Sequence, residues 1–245
     1  MATFPDDFDN IFLRPDRQEK AYKIMKISVI ITNYNKSNLI DRAIRSIENQ
    51  LLVRHDIEII IVDDCSTDSP QLWLDKYQND RKVKILYLDK NIGVAGASNY
   101  GYSSSTGDYI MRLDADDYLS QMFCEFSCDL LEYNNNYGYI YSDIVWVDTY
   151  GNKEKIIDRG LHENLLEYGA GVVVRREVIE KNGFYDSDLR NCEDRDFIMK
   201  LDNKEVVGFH ISVPYYRYYN ELNSLTKKKD RKIYKKQVEN KWDFI

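Results

Sequence analysis

No run of eighteen apolar residues occurs in this chain, so its sequence offers no membrane-spanning helix. The opening residues, Met1-Ala2-Thr3-Phe4-Pro5-Asp6-Asp7, are acidic and lack the charged-then-apolar layout of a secretory leader. That predicts a cytoplasmic protein. Cysteine is scarce: Cys124 and Cys128 lie one helical turn apart, while Cys65 and Cys192 stand alone. The three histidines (His55, His162, His210) are scattered, so zinc-ligand spacing is missing and the thiols read as buried and unpaired. A basic excess is also lacking. With 34 Lys+Arg against 41 Asp+Glu the net charge is −7, which argues against general nucleic-acid binding. There is no G-x-x-x-x-G-K-[ST] loop, and Gly93-Val94-Ala95-Gly96 and Gly169-Ala170-Gly171 lack G-x-G-x-x-G spacing. P-loop and dinucleotide sites are thereby disfavoured. Nor does the first strand run into the Gly-rich, Arg-ending loop that a sugar nucleotidyltransferase needs.

What the chain does contain is clustered aspartate at the ends of apolar runs. Ile57-Glu58-Ile59-Ile60-Ile61-Val62 leads into Asp63-Asp64, and Tyr109-Ile110-Met111-Arg112-Leu113 into Asp114-Ala115-Asp116-Asp117. Both runs read as buried strands. In an open α/β sheet, ligands lie just outside the carboxyl ends of the strands. Two acidic ends there suit a hard divalent cation, which in turn holds a diphosphate. A third acidic group, Glu193-Asp194, precedes the helical run Phe197–Leu201 and sits at a helix start, where the dipole favours carboxylates. Asp68 and Asp117 read as caps of following helices.

Strands alternate with helices from Lys26 to about residue 135, which predicts a parallel, doubly wound sheet. Strands at Ile27–Thr32 and Val83–Leu88, a helix with Ser37 as N-cap, and a helix opening at Gly93 belong to this half. Residues 136–220 read as mixed α+β, with strands at Tyr139–Val147, Gly171–Val174 and Phe209–Tyr216 and a helix at Arg176–Lys181. The expected organisation is an N-terminal extension over 1–25, one domain over 26–220 divided into a nucleotide-binding half (26–135) and an acceptor half (136–220), and a basic helical tail over 221–245. The tail's Lys227–Lys236 cluster is locally basic in an acidic chain and reads either as a solvated C-terminal helix or as a peripheral contact with anionic membrane at its cytoplasmic face.

Six segments in series resemble the family-two glycosyltransferases with the GT-A fold. They are Val29–Asn35, Ile61–Asp68, Asn91–Asn99, the Asp114-Ala115-Asp116 triplet, Gly183–Asp186 and Glu193-Asp194. The resemblance implies transfer of a sugar from a nucleotide-diphosphate donor, UDP most often, to a glycan or lipid-linked acceptor hydroxyl in bacterial polysaccharide or glycolipid synthesis. It implies that Thr32 and Tyr34 line the nucleoside pocket, that Asp64 hydrogen-bonds the base, and that Asp114 touches the ribose or the metal's water. Asp116 would ligate Mn²⁺ or Mg²⁺. Asp194 would act as general base with Glu193 orienting, in a single inverting displacement. Where the family often carries Tyr-Arg-x-His, this chain has Tyr216-Arg217-Tyr218-Tyr219. Tyr219 thus replaces a metal-binding histidine, His210 is out of register to substitute, and Arg217 is left to contact the diphosphate. The substitution keeps a catalytically silent nucleotide-sugar binder as the alternative.

Overall fold

The computed structural model describes residues 23–220 and 231–242; the expected extension therefore lies mostly outside the described residues, as do Lys227–Asp230 of the basic cluster. Three parallel strands lie at the heart of the fold. β1 (Lys26–Asn33) runs between β2 (Asp56–Asp63) and β4 (Tyr109–Asp114), and β3 (Val83–Tyr87) extends the parallel set beyond β2. The pleat sends alternate side chains to opposite faces. Ile27, Val29 and Ile31 join one apolar cluster, whereas Ile30 joins another with Ile60, Val62 and Ile110. Each face takes its own helix. α1 (Ser37–Glu48) sets fully buried Ile40, Ala43, Ile44 and Ile47 on the first face. α3 (Gly93–Ser103) sets Ala95 and Ala97 on the second, after a short α2 (Gln71–Leu74). At about 1.5–3 kcal/mol for each fully buried aliphatic side chain, these stripes are a main adhesive of the parallel half.

Beyond β4 the sheet changes character. The described strands form one nine-stranded sheet in the order β3-β2-β1-β4-β8-β6-β9-β5, with β7 paired to β6. β8 (Val173–Arg175) runs antiparallel to both β4 and β6 (Tyr137–Val147), and β9 (Val207–Tyr219) pairs in parallel with β6. The short β5 (Tyr118–Leu119) closes on β9, and β7 (Lys153–Ile157) forms a hairpin with β6. This is the mixed second half. Its helices are α4 (Phe123–Tyr133), α5 (His162–Glu167), α6 (Arg176–Asn182) and α7 (Glu193–Asn203).

The start of α1 departs from expectation. Lys36 is the N-cap residue and Ser37 the first helical one. The cap function comes instead from Asp68, whose carboxylate accepts the Ser37 backbone N–H at 2.9 Å and its hydroxyl at 2.6 Å. Asp117 also differs. Rather than capping a helix, it accepts the Tyr216 hydroxyl at 2.5 Å and the Tyr219 backbone N–H at 2.8 Å, tying the acidic turn to β9.

The last described helix, α8 (Arg231–Lys241), docks on the mixed second half instead of standing apart as a solvated tail. Val238 is fully buried, Arg195 on α7 pairs with Glu239 at 2.8 Å, and the Trp242 indole N–H donates to Asp196 at 2.8 Å. No helix among the described residues is long and apolar enough to cross a membrane.

Candidate active site

Register alone brings the carboxyl ends of three strands to one place. Thr32 faces Asp114 across β1–β4, and Asn33 faces Asp63 across β1–β2. Over these ends opens a cavity of about 510 Å³, lined by Thr32, Tyr34, Asp64, Asp114, Asp116, Glu193 and Asp194 among others. That size suits a small-molecule ligand. Every expected site residue except Arg217 therefore lines one cavity. The Arg217 guanidinium donates to the Pro214 carbonyl at 2.6 Å on its own strand and does not line the cavity.

The two aspartates of the second strand divide their work. Asp63 accepts from the Asn33 side-chain amide at 2.7 Å and the Ser66 backbone N–H at 3.0 Å, holding the turns after β1 and β2 together. Asp64 accepts the backbone N–H groups of Ile92 at 2.7 Å and Gly93 at 2.8 Å, one on each oxygen. Burial nevertheless outweighs these bonds and raises its pKa. Each oxygen keeps a second lone pair for a ligand.

The centre of the site is Arg112, a strand residue whose role sequence reasoning missed. It is 3% exposed. Its Nη1 donates to Glu193 Oε1 and its Nη2 to Asp194 Oδ2, each at 2.6 Å, and its Nε lies 3.3 Å from Asp114 Oδ1. One guanidinium thus bridges the acidic end of β4 and the start of α7. Its pKa is held well above the usual arginine value by these carboxylates, which together outweigh its own burial. Among the described residues, neither Asp194 Oδ1 nor Asp114 Oδ1, both buried, meets a hydrogen-bond partner at bonding geometry, although the Tyr185 hydroxyl lies beside the Asp194 carboxylate. Burial first, then the charges of Glu193 and Asp114, push the Asp194 carboxyl up to about 7 against the opposing pull of Arg112. Asp114 is raised to about 6, again chiefly by burial. A carboxylate with its pKa near neutrality and one unengaged oxygen is suited to general-base work.

Two further residues shape the site. Arg42 on α1 donates to the Asp116 carbonyl at 2.6 Å and lies over the Tyr118 and Tyr219 rings, fixing the acidic turn from behind. Gly169 backs Asp194 so closely that a Cβ there would stand 2.5 Å from Asp194 Cβ. The glycines of Gly169-Ala170-Gly171 thus serve close packing. An arginine two positions before an aspartate triplet was the one available signal for Arg112. Partners about eighty residues away are invisible in a linear sequence.

The chemistry of a divalent cation can be tested against these donors. Asp116 lines the cavity with Lys36 Nζ 3.4 Å from its Oδ2, and the orphaned Asp114 Oδ1 lies in the same acidic turn. Tyr219 lines the cavity, but its hydroxyl lies 3.3 Å from Thr149 Oγ1. His210 turns elsewhere, with Nε2 at 2.6 Å from Asp143. The residues fit a hard cation that takes few ligands from the chain and the rest from a diphosphate and water. Among the described residues, groups of three metal-competent side chains occur only at His55/Glu125/Asp129 and Asp143/Asp158/His210, neither of which lines this cavity. Cys192, at the cavity edge, has its thiol pushed up to about 11 by burial and is no nucleophile at neutral pH.

Comparison with known proteins points the same way. The model of the family described as Glycosyl transferase family 2 matches residues 28–220. The chain is 25% identical over 195 residues to the poly(ribitol-phosphate) beta-N-acetylglucosaminyltransferase TarS of Staphylococcus aureus, covering 72% of this chain and 32% of TarS. It thus spans about a third of the length of that relative. An uncharacterized glycosyltransferase of Haemophilus influenzae is 31% identical over 184 residues, 72% of this chain and 70% of its own. Among solved structures, S. aureus TarS 1-349 in complex with UDP-GlcNAc matches with a TM-score of 0.72 at 19% identity, over 87% of this chain and 65% of that one. The mannosyltransferase PcManGT of Pyrobaculum calidifontis in complex with GDP-Man and Mn²⁺ gives 0.68 at 18% identity, over 82% and 59%. At such identities the structural likeness speaks for the fold, which is the expected GT-A type. With the family model covering most of the described chain, the protein belongs to glycosyltransferase family 2.

Proposed function

We propose that the chain transfers a sugar from a nucleotide-diphosphate donor, a UDP-sugar being favoured, to an acceptor hydroxyl in surface-polysaccharide or glycolipid assembly. The observation that carries this reading is the Arg112 bridge, which holds a base with raised pKa beside an acidic strand end inside one cavity. Thr32, Tyr34 and Asp64 hold the nucleoside; Asp114 and Asp116 face the ribose and diphosphate. When Mn²⁺ or Mg²⁺ is bound, Asp116 would hold it, and the cation neutralises charge on the leaving diphosphate. Asp194 Oδ1 takes the proton of the acceptor hydroxyl as that oxygen forms its bond to the anomeric carbon. The carbon–phosphate-oxygen bond breaks, and the diphosphate leaves with the electron pair. Arg112 engages Glu193 Oε1 and Asp194 Oδ2, and Asp194 Oδ1 has no hydrogen bond to the described residues. The reaction is read as one displacement with inversion because the family resemblance implies it.

The direct test is nucleotide release from a panel of UDP-, GDP-, dTDP- and CDP-sugars incubated with Mn²⁺ and cell-envelope glycolipid. Release with one donor, dependent on added acceptor, is the expected result. A protein that binds the nucleotide yet never turns a donor over would be a silent binder.

Membrane contact is a second part of the proposal. Lys232, Ile233 and Lys236 are exposed on α8, Ile233 at 70%. Reversing both lysines (Lys232→Glu with Lys236→Glu) should weaken sedimentation with phosphatidylserine vesicles by at least about 2 kcal/mol, at about 1 kcal/mol per cation removed. Unchanged sedimentation would detach the helix from any lipid role.

A further inference from the structure

The cavity is lined by five cations, Lys36, Arg112, Arg190, Arg195 and Arg231. Four face carboxylates: Lys36 lies 3.4 Å from Asp116, Arg112 holds Glu193 and Asp194, Arg195 holds Glu239, and Arg231 holds Glu167. Arg190 differs. It is exposed, lies in the turn before α7, and makes no hydrogen bond or ion pair among the described residues. Its guanidinium instead rests on the backbone of Gly93, where a Cβ would stand 2.6 Å from Nη1. Gly93 has φ +80°, so the absence of a side chain serves both the turn and this approach. The same Gly93 donates its N–H to Asp64 at 2.8 Å. The guanidinium and the Asp64 carboxylate are therefore neighbours across one glycine, and Asp64 feels the cation's charge.

An acceptor beside a fork of donors is complementary to a ring edge that presents an N–H next to a carbonyl. Uracil, thymine and guanine carry that edge; cytosine and adenine present an amino group and a bare ring nitrogen instead. Tyr34, 49% exposed on the turn after β1, lines the same cavity and offers a face for the ring. We propose that Arg190 is a specificity-determining residue of the donor site, donating to the carbonyl of a keto base whose ring N–H is held by Asp64. This rests on the donor-site reading above. A diphosphate contact, the competing use of a cavity-lining arginine, depends on charge alone and ignores the base.

The test is calorimetric titration, with Mn²⁺ present, of UDP against CDP and of GDP against ADP, on the wild type and Arg190→Ala. Because the side chain is exposed and makes no hydrogen bond or ion pair to the described residues, the variant should keep the wild-type melting temperature without nucleotide. The wild type is expected to bind a keto nucleotide at least about tenfold tighter than its amino counterpart. Arg190→Ala should weaken the keto nucleotide by on the order of tenfold and leave the amino one within about twofold. Equal weakening of both members of a pair would assign Arg190 to the phosphates and overturn the proposal, as would no change in either. A wild type that binds none of the four nucleotides would instead remove the donor site itself, and the specificity role with it.

Discussion

Asp194→Asn is expected to lower kcat by about 10²–10⁴-fold while changing nucleotide affinity little, because the lost function is proton removal from the acceptor. The substitution keeps size and one hydrogen-bond acceptor, so the Arg112 contact survives in part. The pH profile gives the sharper readout. In the wild type, burial holds the Asp194 carboxyl up to about 7, so acidification protonates the base inside the working range. The rate should fall as pH drops through that value and lose roughly tenfold per unit further down. Asparagine has no proton to gain there. The variant's residual activity should therefore be flat across the same window, while a base located elsewhere would leave the acidic limb in place. Measurement of kcat against pH from 5 to 9 on both proteins separates the two outcomes.

Arg112→Met should have the largest effect on stability. The guanidinium is buried, and removing it leaves Glu193, Asp194 and Asp114 without their shared cation. Breaking a buried ion pair from one side costs about 3–5 kcal/mol. The sign with pH follows from the carboxylates. Without Arg112, the Asp194 carboxyl rises further above its unfolded value, so the folded variant binds protons that the unfolded chain has released. The unfolded values are common to both chains and cancel, so the penalty is full at alkaline pH and shrinks on acidification until the wild-type carboxyls protonate as well, at about 7 for Asp194 and about 6 for Asp114. Denaturant titration at pH 8 and pH 5.5 should show the gap between wild type and variant narrowing at the lower pH. A gap that is the same at both would mean that Arg112 contributes packing, not charge. Arg112→Lys keeps the charge but not the fork, so it should recover part of the stability while leaving the base misplaced and kcat low.

The parallel first half was legible in the sequence because its signals are local. The apolar runs ending in Asp63-Asp64 and Asp114-Ala115-Asp116 mark strands and their carboxyl ends together, and parallel pairing then places both ends side by side. The mixed second half was legible only in outline. β7 carries four exposed residues in five, and the six residues of α5 give too short a period to read. β9 runs on to Tyr219, three residues past its expected end, because it is paired with β6 along its length. At the site, Asp64, Asp116 and Asp194 follow from motif and position. The Arg112 bridge, the Gly169 backing of Asp194 and the loss of Arg217 from the cavity all depend on tertiary contacts, and no spacing announces them. Arg112 reads as an ordinary polar residue in a strand until α7 brings Glu193 and Asp194 against it.

The central claim is that the acidic strand ends form a metal-dependent nucleoside-diphosphate site. The measurement that tests it most directly is a thermal-shift screen of UDP, GDP, dTDP and CDP, each with and without Mn²⁺, on the wild type and Asp116→Ala. At a hundred times its dissociation constant a ligand stabilises by about 2.7 kcal/mol, enough for a clear rise in melting temperature. The expected result is a rise for at least one nucleotide that needs Mn²⁺ and disappears in Asp116→Ala, with little response to Mn²⁺ alone, since the chain offers the cation few ligands. No rise with any nucleotide, or a rise that persists in Asp116→Ala, would contradict it.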